Sequence, residues 1–158
     1  MFFDGAARGN PGPAAAGAVV IEIHWASAQL LGCETNNVAE FQALLHGLAY
    51  CRSAGLHNLT VVGDSRFIID ALRLGRRPVN AALVTLFLIA HHLRGGFQHC
   101  RWRHHRRSFN RMADSLANWA LDNRCSATFH HPHPVPTSVL QFLSSDVWAA
   151  SPQRLPIE

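Results

Sequence analysis

Hydrophobic positions along this chain change period several times, and the changes mark out its elements. Phe2, Phe3 and Asp4 open a short strand, extending at most to Ala6, before ARGNPG turns the chain. From Gly17 to Trp25, Val19, Ile21 and Ile23 alternate with Val20, Glu22 and His24, which predicts a second strand with one buried face. Gln29 to Cys33 predicts a third, paired to it through a tight turn near Ser27. The period then becomes helical. Asn36 or Asn37 can cap a helix on which Phe41, Leu44, Leu45, Leu48 and Ala49 recur, with Cys51 in its core face and Gly55 at its end. Leu59 to Val62 is a strand running straight into GDS. Phe67, Ile68, Ala71 and Leu72 suit a short helix stopped by Gly75 and Pro78. Val79 to Leu93 predicts a further helix, apolar enough to be well buried and broken by Gly95 and Gly96.

Phe97 to Arg103 reads as an outer strand, HHRRSF as a loop, and Asn110 to Leu121 as a helix with Met112, Ala113, Leu116, Ala117 and Ala120 on related faces. After Asn123 the composition shifts. FHHPHPVP forms elements poorly, because proline removes donors and fixes the backbone. Val139 to Leu143 can make a small helix or strand, and the last eight residues are expected to fray. The boundaries imply a single folded domain over residues 1–124 and a His/Pro-rich extension over 125–158. Early hairpin strands followed by helical crossovers imply an α/β fold with a mixed sheet covered by helices.

Four carboxylates stand in distinctive company within this pattern. Asp4 opens DGAARGNPG, Glu40 closes TNNVAE, Asp64 sits in VVGDS and Asp114 in FNRMADSLA. The element order puts Asp4 and Asp64 on neighbouring strands, with Glu40 and Asp114 approaching from helices. Converging carboxylates suit a hard divalent cation, which relieves their mutual repulsion. Each has a plainer alternative: Asp4 capping its turn, Asp64 a helix cap, Glu40 a favourable charge near a helix start, and Asp114 an acid that needs a partner if buried.

Charge narrows the partner class. All 14 basic residues are arginine, and the nine arginines between Ala71 and Ala113 meet no Asp or Glu. Compositional bias in the coding sequence explains the missing lysine equally well, but a one-signed stretch of planar, permanently charged groups favours a polyanion such as nucleic acid. The spacing of Cys33, Cys51, Cys100 and Cys125 matches no zinc pattern. The apolar run AALVTLFLIA is too short to span a bilayer, and the N-terminus has no secretory signal, so an intracellular protein without a membrane partner is expected. His130, His131 and His133 are either a weak metal cluster or an exposed tail.

The ordered set DGAARGNPG, TNNVAEFQAL, VVGDS and HHRRSFNRMADSLA resembles the type 1 ribonuclease H family, both its free-standing members and the domains attached to reverse transcriptases of retrotransposons. The resemblance covers about Met1 to Asn123. It implies a ribonuclease H-like fold with a five-stranded mixed sheet flanked by helices. It also implies cleavage of the RNA strand of an RNA–DNA hybrid by two divalent ions, Mg2+ by default and Mn2+ as a substitute, leaving a 5′-phosphate and a 3′-hydroxyl. Asp4, Glu40, Asp64 and Asp114 would be the metal-binding catalytic carboxylates, with Asp4 favoured over Asp64 as the bridging one. His104, six residues before Asn110, matches the family histidine for proton transfer or phosphate release, and His105 takes its place if the loop is redrawn. Asn10, Asn36 and Asn37 match positions that contact the hybrid, although each also suits a turn or cap. Arg106 and Arg107 are either phosphate contacts or solvated charge. The segment from Arg73 to Arg94 is too short for the basic protrusion of many bacterial members, so hybrid binding would either be weaker or draw on Arg106, Arg107 and a partner domain such as a reverse transcriptase. The rival reading is a non-catalytic hybrid- or duplex-binding module of a retroelement-derived protein.

Overall fold

A computed structural model describes residues 1–22, 24–130 and 135–151. Its elements run β1 (Phe2–Ala7), β2 (Gly12–Val20), β3 (Trp25–Glu34), α1 (Asn36–Ser53), β4 (Asn58–Gly63), α2 (Arg66–Leu74), α3 (Ala81–Arg94), β5 (His99–His104), a 3-10 turn (Arg107–Phe109), α4 (Arg111–Asn123), β6 (Ala127–His130), α5 (Thr137–Leu140) and α6 (Leu143–Ala150). The strands form one mixed sheet in the order β5-β4-β1-β2-β3-β6. β1, β4 and β5 are parallel, and β2, β3 and β6 add antiparallel. The expected mixed sheet is therefore present, with six strands rather than five. The sixth comes from the extension, where Ala127–His130 pairs with Trp25–Ala28.

Two-residue periodicity sorts the sheet into two cores. Phe3, Val20 and Val61 face α1, α2 and α3, packing with Phe41, Leu44, Leu48 and Ile68. Their neighbours Phe2, Val19 and Val62 face the opposite side, with Met112, Leu116 and Val139. Full burial of each large side chain contributes about 1.5–3 kcal/mol. The central strand β1 is thus gripped from both faces, which fixes the position of its acidic residue.

Several boundaries differ from the sequence reading. β1 runs to Ala7. β2 is Gly12–Val20, not Gly17–Trp25, because GPAAAG is a strand of small residues lying between helices on both faces; the one-face alternation is consequently absent. The chain reverses before Trp25 rather than near Ser27: the His24 N–H donates to the Ile21 carbonyl at 3.1 Å, and His24 takes a left-handed φ of 51°. Ile23 lies outside the described residues. The cap of α1 is Thr35, not Asn36 or Asn37: its hydroxyl accepts from the Val38 N–H at 3.3 Å. Ala49 is exposed. α3 is less buried than its composition suggests, covering Leu83, Phe87 and Ala90 while Leu88 and Ile89 stay exposed, because only one of its faces meets the core. Part of the extension is folded, in β6, α5 and α6. His131, His133 and the final residues 152–158 lie outside the described residues. Among the described residues, no helix is long and apolar enough to cross a membrane, and all four cysteines are free.

Candidate active site

Two glycines let the helices approach the acidic centre. A Cβ on Gly5 would meet the Glu40 backbone nitrogen at 2.1 Å, so only glycine admits α1 against β1 beside Asp4. On the other face, Gly17, the register partner of Asp4, lies where a Cβ would meet the Ala113 carbonyl oxygen at 2.1 Å. The residue after Ala113 is Asp114. The small residues of β1 and β2 thus bring one acidic helix close on each side of the sheet.

Asp4, Glu40 and Asp64 come together. Each offers a carboxylate oxygen within 4.8 Å of the others, although they come from β1, α1 and the end of β4. Asp4 is 3% exposed and Glu40 8%. Asp4 Oδ2 and Glu40 Oε2 are buried with no hydrogen-bond partner among the described residues. Burial, followed by the charges of Asp64, Glu40 and Asp114, pushes the Asp4 carboxyl up to about 9. Burial is also the main cause raising Glu40 to about 7, while the neighbouring Ser65 hydroxyl and the hydrogen bond from Asn36 oppose it. Uncompensated buried acids carry a large desolvation cost. Partnerless hard oxygens at this separation fit a divalent cation of the magnesium class.

Asp114 stands beside this trio rather than within it. Its Oδ1 accepts from the Arg107 guanidinium, and that bond holds Arg107 above the ordinary arginine range. His104 ends β5, where its Nε2 donates to the Asp64 carbonyl at 3.1 Å, placing the ring next to the trio. His105 is tied through its backbone N–H to the Gly63 carbonyl at 2.9 Å. Burial, then the neighbouring charges of Arg103 and His104, lowers its ring pKa. Asn36 donates from Nδ2 to Glu40 Oε1 at 2.9 Å, and its backbone N–H donates to Asn10 Oδ1 at 3.1 Å. This chain of bonds connects the ARGNPG turn to the acidic centre. Asn37 and Arg106 are exposed.

Comparison with known proteins agrees with this arrangement. A reverse transcriptase-like family model matches residues 2–120. The crystal structure of RNase H1 from Halobacterium salinarum superposes with a TM-score of 0.69 at 34% identity, covering 77% of this chain and 95% of that one. The chain belongs to the type 1 ribonuclease H family. Other type 1 ribonuclease H relatives include LC11-RNase H1, solved in complex with an RNA/DNA hybrid, which matches at 30% identity with a TM-score of 0.70, covering 77% of this chain and 95% of that one. The bifunctional protein Rv2228c of Mycobacterium tuberculosis is 31% identical over 96% of this chain, which spans 44% of that protein's length.

Three residues of this ribonuclease H site escaped the sequence reading. Ser65, in the GDS motif, stands beside Glu40 and holds down the pKa that burial raises. Gly5 and Gly17 admit the helices. Both glycines lie in strands, where glycine weakens the element unless another backbone must come close, and that is a signal readable from sequence.

Proposed function

We propose that this protein hydrolyses the RNA strand of RNA–DNA hybrids, using two divalent ions, Mg2+ with Mn2+ able to substitute. The observation that carries this reading is the partnerless pair Asp4 Oδ2 and Glu40 Oε2, buried beside Asp64. Asp4, Glu40 and Asp64 would hold the ions, with Asp114 joining from α4. When bound, such ions neutralise the scissile phosphate and supply a nucleophilic water at neutral pH.

The chain's own groups then divide the remaining work. Arg107 holds Asp114 toward the cleft and balances its charge. His104, fixed through Nε2, presents its other ring nitrogen for proton transfer or release of the cleaved phosphate. Asn10, Asn36 and Asn37 would meet the hybrid, since neutral amides can read the 2′-hydroxyl that separates RNA from DNA. Arg106 and the other arginines of the one-signed stretch meet phosphates. The products carry a 5′-phosphate and a 3′-hydroxyl. Solved relatives whose chains are covered to 95% support this, among them the one bound to an RNA/DNA hybrid.

The test is cleavage of matched RNA–DNA hybrid, double-stranded RNA and double-stranded DNA in Mg2+, with Asp64→Asn beside the parent. Selective loss of the RNA strand of the hybrid by the parent alone is expected. Equal cleavage by both proteins, which is cleavage not made at this site, or none by either, sinks the enzyme reading; none by either leaves the non-catalytic hybrid-binding module.

A further inference from the structure

The helix that carries Asp114 begins without a cap of its own. Asn110 occupies the capping position of α4, but its Oδ1 meets no donor among the described residues while its Nδ2 donates to the Phe3 carbonyl at 2.8 Å, so its side chain makes no cap bond. The first N–H groups of a helix have no intrahelical acceptor and need one from elsewhere. It comes from the extension. Asp146 Oδ2 accepts from the Met112 N–H at 2.8 Å.

Asp146 is an anomaly in its own helix. It is 0% exposed on α6, while Val147 and Trp148 beside it are exposed at 38% and 57%. A buried carboxylate on a short terminal helix is costly unless it is hydrogen-bonded, and a helix N-terminus is the place that favours its charge. The surroundings fasten the same joint. The Arg111 guanidinium lies 3.8 Å from the Phe142 ring centroid, and Ser145 Oγ reaches Asp146 Oδ1 at 3.4 Å. Arg103, next to His104, donates to the Ala150 carbonyl at 2.6 Å. The extension therefore grips both the β5 end that carries His104 and the first turn of the helix that carries Asp114.

We propose that Asp146 is a positioning residue, an external cap supplied by the extension that sets the first turn of α4, and through it Asp114 and Arg107, against Asp4. The family match ends at residue 120, so this device lies beyond it. The catalytic consequence rests on the hydrolase reading above; the cap itself does not.

The experiment compares the parent with Asp146→Ala, Asp146→Asn and Val139→Ala. Val139 is 1% exposed in the same core and makes a packing control that leaves the cap intact. Three quantities are read: amide hydrogen exchange at Arg111 to Asp114, the Mg2+ concentration for half-maximal hybrid cleavage, and kcat with KM. Asp146→Ala is expected to speed exchange in that turn, raise the Mg2+ requirement about tenfold and lower kcat while KM for hybrid holds. Asp146→Asn keeps one acceptor oxygen and falls between it and the parent; it carries the comparison if the alanine variant does not fold. Val139→Ala, destabilised as it is, keeps the parent's Mg2+ profile. Equal Mg2+ shifts in Asp146→Ala and Val139→Ala, or parent-like exchange in Asp146→Ala, would overturn the proposal. A parent that cleaves nothing defeats the hydrolase reading, and the exchange comparison alone then decides the cap.

Discussion

Replacing Asp4 by Asn should make the metal-free protein more stable, increasingly so as pH rises. Asp4 is buried with one oxygen unpartnered and three other carboxylates raising its pKa, so its folded value of about 9 stands far above the ordinary 3.8. The sign follows from proton binding. Below about pH 4 both folded and unfolded chains hold the proton, and there is no penalty. Between there and about pH 9 the folded chain keeps a proton that the unfolded chain releases, so raising pH favours unfolding by about 1.4 kcal/mol per pH unit. From pH 5 to pH 8 the parent in EDTA should therefore lose about 4 kcal/mol relative to Asp4→Asn, roughly 10 °C in Tm for a chain this size. Glu40 adds a slope of its own in both proteins, and the comparison cancels most of it. Thermal denaturation at pH 5.0, 6.5 and 8.0, in EDTA and in Mg2+, reads the effect. Saturating Mg2+ should restore the parent and leave the variant little changed. Parallel pH slopes for the two proteins in EDTA would refute the claim that Asp4 is buried against its own charge.

Other perturbations probe different parts of the account. Gly5→Ala pushes a Cβ onto the α1 backbone at Glu40 and should cost about 3 kcal/mol, seen as a lower urea midpoint. Arg107→Ala uncovers Asp114; Tm at pH 8 should fall in EDTA and the gap to the parent should narrow in Mg2+, read by scanning calorimetry. Arg106→Ala should weaken hybrid binding without sequence preference and reduce the slope of log affinity against log salt by about one, measured by fluorescence anisotropy.

Sequence made the acidic trio legible because each member sits in a motif whose element is unambiguous. VVGDS ends an apolar strand, and TNNVAE opens a helix with clear 3.6-residue spacing. Asp114 was visible as an acid on α4, but its engagement by Arg107 was not. That bond joins a 3-10 turn to the helix after it, and the turn's path depends on packing. The extent of β2 was hidden for the opposite reason. GPAAAG carries almost no side-chain pattern, and its strand exists because helices press on both faces. The capping of α1 fell to Thr35 because Asn36 is drawn to Glu40 and Asn10 instead. Least legible was the extension. Its proline-rich start obscured β6, and nothing local to Asp146 indicates that it meets Met112, 34 residues earlier.

The central claim is that Asp4, Glu40 and Asp64 form one cation site. Anomalous diffraction from a crystal soaked in Mn2+ tests it most directly. An anomalous peak is expected within coordinating distance of all three carboxylates, about 2.0–2.3 Å from their oxygens, and none there in Asp64→Asn. A saturated soak with the peak elsewhere, or with these carboxylates turned apart and unliganded, would contradict it.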